Sequence, residues 1–352
     1  MVTNKTLIFA KAAVGQPVAG ENIVLVDRPL DLDEVPPGGF VARILYSSFD
    51  PYLRHKLVAV DEAREFTPFE INSAIVNGAI LEVLKADKSS EFKAGDKLTG
   101  MAPIAEYASV QEEEAKQFKL LHNPYNFDLH LFLGPLGLPG ITAYSAFYEI
   151  AKPQKGETIF ISAASGAVGQ IVGQLALREG LTVIGSVGSD EKLDIIKNKF
   201  GFQRGFNYRK VKIVEELKRL APQGIDSILA VYYDNVGGEQ LEAAIEVLKD
   251  WGRIVACGAA SQYSIPYDKQ YGIRNTGVIV SKRITWRGFT VFDEDFWIKY
   301  GEEHQKNAQD WIKDGSLKPV MSVIKGIDNA AEGLVSLFKG ENVGKAVLEI
   351  SA

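Results

Sequence analysis

The sequence predicts an α/β protein, a doubly wound parallel-sheet domain with β-rich segments before and after it. Three observations carry that prediction. Up to about residue 135 short alternating strands are separated by Pro- and Gly-rich turns. From about residue 155 short apolar runs alternate with amphipathic helical stretches. After about residue 305 a helix, a strand, a helix and a strand follow in turn.

In the first part, KTLIFAK, NIVLVDRP, GFVARILYSS and AIVNGAILEVLKA read as strands, with PPGG and KAGDK between them. This is the pattern of an antiparallel β-rich domain over residues 1–137. The middle part, residues 138–308, begins its alternation with the strand TIFISAA. Val168, Ile171, Val172, Leu175 and Ala176 then share one face of a helix. LTVIGS is the next strand, and DEKLDIIKNKFG a helix stopped by Gly201. RGFNY is a short strand, and VKIVEELKRLA a helix with Val211, Val214 and Leu217 aligned. IDSILAVYYD is a longer strand, EQLEAAIEVLKDWG a helix closed by Gly252, and RIVACG and RITWRGFTV complete the series. Strands alternating with helices imply parallel pairing through right-handed crossovers. The last part, residues 309–352, holds strand-like KPVMSVIKG, a helix with Ala330, Leu334 and Leu337, and GKAVLEIS. Its return to the first part as a closing strand would make the parallel-sheet domain an insertion.

Composition narrows the function. The chain has 352 residues, 46% apolar and 24% charged, which suits two ordinary globular domains. A net charge of −6 with scattered basic residues gives no footprint for nucleic acid or anionic membrane. No apolar run reaches the roughly 18 residues of a membrane span, and the N-terminus alternates like a strand, so a cytoplasmic protein is expected. Cys257 stands alone, and His55, His122, His130 and His304 show no metal-ligand spacing; no metal site is expected.

The segment ASGAVG, residues 164–169, fits A-x-G-x-x-G, a dinucleotide fingerprint with alanine in the first position. Gly166 would let backbone approach a pyrophosphate, and Gly169 would let the helix lie close to the sheet, its N-terminus favouring the anion. The motif follows a strand and opens a helix, which is the context it requires. Gly173, one turn on, extends a small face for packing. The tip of the second strand, GSVGSDEK, leaves NAD and NADP open. Asp190 and Glu191 suit either a ribose or a helix start, and Lys192 either a phosphate or solvent. Tyr208 could add a hydroxyl, and the later strand ends bring Asn235, Gly237, Gly238, Cys257, Gly258, Ala259 and Tyr263 to the same edge.

Taken together, SSFDPYLRHK, GLPGITAYSAF, SAASGAVGQIVGQ, GSDEKL, GFNYRK, YYDNVGG, CGAASQY, RGFTV and GENVGKAVLEI run the length of the chain in order. In these motifs the chain resembles the medium-chain dehydrogenase/reductase superfamily, in its zinc-independent alkenal double-bond reductase branch, which includes prostaglandin reductases and leukotriene hydroxydehydrogenases. The resemblance implies a Rossmann dinucleotide domain inserted in a GroES-like β-rich catalytic domain, and a homodimer. It implies NADPH-dependent reduction of the carbon–carbon double bond of enals and enones. It places Gly166, Ala167, Val168 and Gly169 at the pyrophosphate, and Lys192 with Tyr208 at the 2′-phosphate. Thr142, Asn235, the Cys257–Tyr263 loop with Gly258 and Ala259, Phe289 and Asn342 would hold the remainder.

The chain departs from that pattern at LHNPYNFDLHLFLGPLG and GMAPIAEYASV, both near the expected substrate region. VNGAIL at 76–81 stands where zinc-dependent relatives carry Gly-His-Glu. Reduction of an enone puts negative charge on the carbonyl oxygen, which needs a donor. Tyr263 is the first candidate for donor or proton relay and Tyr52 the second. The plainer alternatives are a loop aromatic shielding the cofactor for Tyr263 and a phenol packed behind Pro51 for Tyr52. Two rival functions are an NADPH quinone reductase and a non-catalytic NADPH-binding protein.

Overall fold

The computed structural model describes residues 1–64, 66–221 and 229–351. Two compact units divide the chain, Met1–Leu133 with Met321–Ala352 as unit 1 and Gly134–Val320 as unit 2.

Unit 1 contains β1 (Lys5–Phe9), β2 (Ile23–Asp27), β3 (Phe40–Ser48), the single turn α1 (Leu53–Lys56), β4 (Val76–Ala86), β5 (Lys97–Pro103), β6 (Tyr107–Val110), the turn α2 (Glu112–Ala115) and β7 (Lys119–Leu120). Unit 2 runs through α3 (Leu138–Ala146), β8 (Thr158–Ile161), α4 (Gly169–Arg178), β9 (Thr182–Val187), α5 (Asp190–Asp194), β10 (Arg204–Asn207), α6 (Ile213–Leu220), β11 (Leu229–Asp234), α7 (Gly238–Val247), β12 (Leu248–Ala256), α8 (Gly277–Lys282), β13 (Thr285–Gly288) and α9 (Trp297–Lys313). β14 (Met321–Lys325), α10 (Ala330–Phe338) and β15 (Lys345–Glu349) belong again to unit 1.

The tail does close the first sheet. β15 pairs antiparallel with β3, Val347 opposite Ser48, and carries β14 beside it in the order β14-β15-β3-β4-β5-β7. One layer of the core below this sheet is aromatic, with Phe40 edge-on to Phe92 and Phe118 at 5.5 Å each. In unit 2 six strands pair in parallel in the order β10-β9-β8-β11-β12-β13. The central strands β8 and β11 are buried along their whole length, as strands covered on both faces must be.

Helix α4 is what positions the site. Its apolar stripe of Ile171, Val172, Leu175 and Ala176 is buried as expected, yet Gln170 and Gln174 on its other face are buried too. Their amides replace water with backbone: Gln170 Oε1 accepts from Val320 N at 2.7 Å and its Nε2 donates to Val320 O at 3.0 Å, while Gln174 Oε1 accepts from Lys318 N at 2.8 Å. Gly173 is a packing glycine, since a Cβ there would lie 1.8 Å from Phe202 Cζ.

Three expectations are corrected. Helix α7 ends at Val247 and not at Gly252: Leu248 turns extended and pairs with Leu229, burying its side chain, and Gly252 lies inside β12. Helix α6 starts at Ile213, so Ile213 and Leu217 form the buried face and Val211 is exposed in the preceding turn. Helix α9 begins at Trp297, a full two turns before Gln305, and stays within unit 2 as it runs through residue 309. Of the run expected as a strand from Ile225, residues 225–228 lie outside the described residues, and β11 starts at Leu229.

Gly173→Ala should force α4 and Phe202 apart and cost about 1–3 kcal/mol, the usual penalty of overpacking. Chemical denaturation would show it as a lower midpoint at unchanged slope; a midpoint equal to that of the parent protein would mean the Phe202 ring yields freely.

Candidate active site

The turn after β8 is tight for a steric reason. Ala163 takes a positive φ of 47°, and its carbonyl accepts from Gly166 N at 2.8 Å. A Cβ on Gly169 would sit 2.4 Å from that same oxygen and 2.9 Å from Ala164 Cα, so only glycine fits where the helix begins. Gly166 is under less pressure, its nearest contact being 3.0 Å. Alanine at the first fingerprint position is accommodated from the neighbouring strand: Ala164 Cβ would lie 2.8 Å from a Cβ on Gly185 of β9, and Gly185 has none. No side chain caps α4, while Gly166, Ala167 and Val168 keep some exposed surface. The result is a small-residue cradle with a helix N-terminus behind it, which fits a pyrophosphate.

At the tip of β9 the ambiguous acid is accounted for. Asp190 accepts from Asn207 Nδ2 at 2.9 Å and pairs with Lys210, and these bonds hold its carboxyl below the usual range. Its charge is therefore already answered. Ser189 Oγ caps α5 by accepting from Lys192 N at 3.2 Å, which sets the start of Lys192's side chain. The Tyr208 hydroxyl lies over the same turn, 3.2 Å from where a Cβ of Gly188 would stand. Lys210 and a phenol thus lie at this strand tip, with Lys192 in the helical turn that follows it.

Across the sheet, the end of β11 is tied to the end of β8. Asn235 Nδ2 donates to Ser162 O at 2.7 Å and Asn235 N donates to Ser162 Oγ at 2.9 Å. Asp234 Oδ1 accepts from Gly237 N at 2.8 Å, Val236 N at 3.0 Å and the Tyr232 hydroxyl at 2.7 Å. Burial pushes its carboxyl up, and those donors oppose the shift. The loop after β12 folds on itself: Tyr263 Oη accepts from Ala259 N at 3.0 Å and passes over Gly258, where a Cβ would be 2.8 Å away. Cys257 N donates to Asp234 O at 2.9 Å. Thr142 Oγ1 donates to Leu138 O within α3, and the Thr142 carbonyl accepts from the Tyr233 hydroxyl at 3.1 Å. Phe289 packs on Phe296 with ring centroids 4.9 Å apart. Unit 2 therefore collects Gly166–Gly169, Lys192, Tyr208, Asn235, Cys257–Ala259 and Tyr263 along the carboxyl edge of its sheet.

Tyr52 and Asn342 belong to unit 1. Asn342 Nδ2 donates to Gly344 O at 2.7 Å, closing its own turn. Tyr52 precedes α1 and donates its hydroxyl to Asn77 Oδ1 at 2.5 Å. Behind Asn77 stands a buried group that the sequence reading missed. Asn77 Nδ2 donates to Ser48 O at 2.7 Å and Asp50 Oδ2 at 3.0 Å, Ser48 Oγ donates to Asp50, and Lys345 Nζ reaches Asp50 Oδ1 at 2.7 Å and Phe49 O. Lys345 is 1% exposed, and its burial pulls the ammonium below the ordinary lysine value against the attraction of Asp50. The one available signal was a lysine heading the apolar run AVL of β15, with no cue to a partner so distant in the chain. Among the described residues, no group of three or more His, Cys, Asp or Glu stands ready to hold a metal ion.

Comparison with known proteins agrees with the fold. A family described as zinc-binding dehydrogenase matches residues 167–304, and one described as the N-terminal domain of oxidoreductase matches residues 5–118. The chain is 46% identical to the NADP-dependent oxidoreductase RED1 of Cochliobolus heterostrophus, covering 100% of this chain and 99% of that protein. It is 37% identical to a 2-alkenal reductase (NADP(+)-dependent) of Nicotiana tabacum, covering 99% and 98%. Among solved structures, CurA from Vibrio vulnificus in complex with NADPH is 26% identical, superposes with a TM-score of 0.87 and covers 99% of each chain.

The thiol of Cys257 offers a test of how closed this edge is. Burial pushes it up to about 12, with the Asp234 carboxylate adding to the effect and Tyr233 opposing it. Cys257 is half-buried, so the thiolate that alkylating reagents need is scarce at pH 8 without the sulfur being sealed off, and labelling should run more than about tenfold slower than for an ordinary free thiol. Timed iodoacetamide labelling followed by mass spectrometry measures this; a free-thiol rate in the native protein would mean that the thiol is not raised.

Proposed function

Because the chain belongs to the alkenal-reductase-type family of the medium-chain dehydrogenase/reductase superfamily, we propose that it is an NADPH-dependent reductase of the carbon–carbon double bond of α,β-unsaturated aldehydes and ketones. One observation carries the reading: the likeness to a 2-alkenal reductase extends over 99% of this chain, so it includes both units and not the nucleotide-binding part alone. The pairing of Asp190 with Lys210 and Asn207 supports NADPH over NADH, because a cation beside the acid weakens its repulsion of a phosphate.

When bound, NADPH supplies a hydride to the β-carbon of the substrate. The chain's own part is to hold and to protonate. The Gly166–Gly169 turn and the α4 N-terminus receive the pyrophosphate, and Lys192 with Tyr208 the 2′-phosphate. Thr142, Asn235, the loop from Cys257 to Ala259, Phe289 and Asn342 orient the rest. As charge develops on the carbonyl oxygen, Tyr263 donates a hydrogen bond to it or relays the proton that finishes at the α-carbon. The bond that Tyr263 accepts from Ala259 N–H strengthens its hydroxyl as a donor through cooperativity. In this reading no zinc takes part, since β4 carries Asn77, Gly78 and Ala79 where a metal site would need an imidazole or thiolate.

The protein is further read as a cytoplasmic homodimer. An end strand supports the second copy: β13 pairs with β12 on one side, its residues are largely exposed, and Trp286, Phe292, Trp297 and Ile298 expose apolar surface beside it.

Following NADPH absorbance with 2-alkenals, cyclic enones and quinones tests the reaction; oxidation with quinones alone would replace this reading by a quinone reductase, and binding without oxidation by a non-catalytic role. Lys192→Glu should lower the preference for NADPH over NADH by about tenfold or more, the worth of one charge-assisted contact. Steady-state kinetics with both cofactors measures that ratio, and an unchanged ratio would place the phosphate elsewhere. Tyr263→Phe should reduce kcat by about a hundredfold, while the NADPH dissociation constant from fluorescence titration moves by less than about threefold. Unchanged turnover would remove Tyr263 from proton transfer.

A further inference from the structure

We propose that Gln262 is a positioning residue for Tyr263: its amide fastens the 263–271 loop to the turn at Gly237 and Gly238, and that fastening keeps the Tyr263 hydroxyl in place over Gly258. This rests on the reading that Tyr263 serves proton transfer, and every residue involved lies within unit 2.

The sequence marks the place by a pair of glycines in YYDNVGGEQ, and the structure shows what they make room for. Gly237 and Gly238 both take positive φ, 65° and 57°. A Cβ on Gly237 would lie 3.1 Å from Ala259 Cβ, and one on Gly238 would lie 2.7 Å from Gln262 Nε2 and 3.0 Å from Ser261 Oγ. The space of the missing side chains is therefore taken by the loop after β12, seated on the start of α7. Backbone bonds hold the seat: Ala260 N donates to Asn235 O and Ser261 N to Val236 O, each at 3.1 Å.

The direction of each side-chain bond is forced. Tyr271 N lies 2.8 Å from one end of the Gln262 amide, and a backbone N–H only donates, so that end is the oxygen. The NH2 then faces Ser261 Oγ at 2.7 Å. Ser261, accepting there, turns its own proton to Val236 O at 2.5 Å, a carbonyl that only accepts. Three bonds thus run one way from residue 271 through 262 and 261 to 236, and bonds chained in this manner strengthen one another. Both ends are anchored. Asp234 Oδ1 holds the Val236 end by accepting from Val236 N and Gly237 N. Beyond Tyr271, Asn275 Nδ2 donates to Glu242 O of α7 at 2.9 Å. Tyr263 follows Gln262 directly, and its ring folds back so that Oη accepts from Ala259 N at 3.0 Å. Loss of the Gln262 amide would cut the one-way chain at its centre and release the segment that carries this phenol.

The experiment uses the whole protein and replaces Gln262 by Met, which keeps the length of the side chain and removes both bonds. Exchange of the Ala259 amide hydrogen, followed by NMR without added NADPH, reports the Tyr263 contact directly. Exchange should be slow in the parent protein and about tenfold faster both in Tyr263→Phe, which lacks the acceptor, and in Gln262→Met. The amides of β11 should keep their parent rates in both variants, because the opening is local. Ser261→Ala breaks the chain one bond further on and should act in the same direction, so the test does not hang on a single variant. An Ala259 amide at its parent rate in Gln262→Met and Ser261→Ala would overturn the proposal, as would β11 amides that speed up equally.

Turnover of a 2-alkenal with NADPH supplies a second arm. Gln262→Met should lower kcat about tenfold in the parent background and leave it unchanged in the Tyr263→Phe background, since a residue acting through Tyr263 then has nothing to act on. Equal losses in both backgrounds would make Gln262 a merely structural residue and would also overturn the proposal. Refusal of every alkenal, or full turnover by Tyr263→Phe, would remove the reading of the reaction, while the Ala259 exchange rates would still decide whether Gln262 positions the phenol.

Discussion

The fold of unit 2 depends on a helix that must start in contact with its own turn. Ala163 O stands where any Cβ of residue 169 would be, and Phe202 stands where a Cβ of residue 173 would be. Drawing α4 this close buries eight of its residues, from Gly169 to Ala176. That burial compensates for a turn holding Ala163 at positive φ, an uncommon conformation for alanine. It also fixes the helix axis, and with it the direction in which the uncapped N-terminus points. Gly185 belongs to the same constraint, because the methyl of Ala164 needs the space that a side chain on β9 would take. The small residues are thus demanded by sterics first, and an opening of the kind that would suit a phosphate is left by the packing.

Within each unit the chain handles its acids by one strategy, surrounding a carboxylate with donors. Asp190 is answered by Lys210 and Asn207, Asp234 by two backbone N–H groups and a phenol, and Asp50 by Lys345, Ser48 and Asn77. In each case the carboxylate organises local structure. Asp234 shapes the turn that delivers Gly237 to the start of α7, for example, while Asn235 next to it ties two strand ends together.

Much of this was legible in the residues. The alternation of strands and helices in the middle of the chain, the fingerprint turn and the return of GKAVLEIS to the first sheet all follow from local pattern, because parallel strands, crossover helices and glycine turns leave periodic or compositional marks. What the residues hid was long-range. Gln170 and Gln174 look like a solvent face, yet they bond to backbone at 318–320, about 150 positions away. Gly252 looks like a helix stop, yet the ladder with Leu229 ends the helix earlier. Asp190 looks like a ribose ligand until Lys210 is seen beside it. Tyr52 could be named as a candidate, but the direction of its hydroxyl depended on Asn77, and Asn77 in turn on Lys345 from the other end of the chain. Polar pairing across a fold leaves no periodicity, so such contacts stay invisible until the fold brings them together.

The two candidate tyrosines show why that matters for chemistry. A phenol can serve as donor or acceptor, and a sequence shows only the phenol. In unit 2 Tyr263 accepts from a backbone N–H, which can only donate, so the bond cannot run the other way. In unit 1 Tyr52 gives its proton to an amide oxygen whose orientation is forced by a carbonyl and a carboxylate, so that bond cannot reverse either. The two hydroxyls therefore carry opposite polarity although the side chains are identical. The fixed neighbours, an N–H in one case and an amide oxygen in the other, leave the Tyr263 hydroxyl its proton to give and commit that of Tyr52, and reversing either would require breaking a bond that burial makes costly to lose.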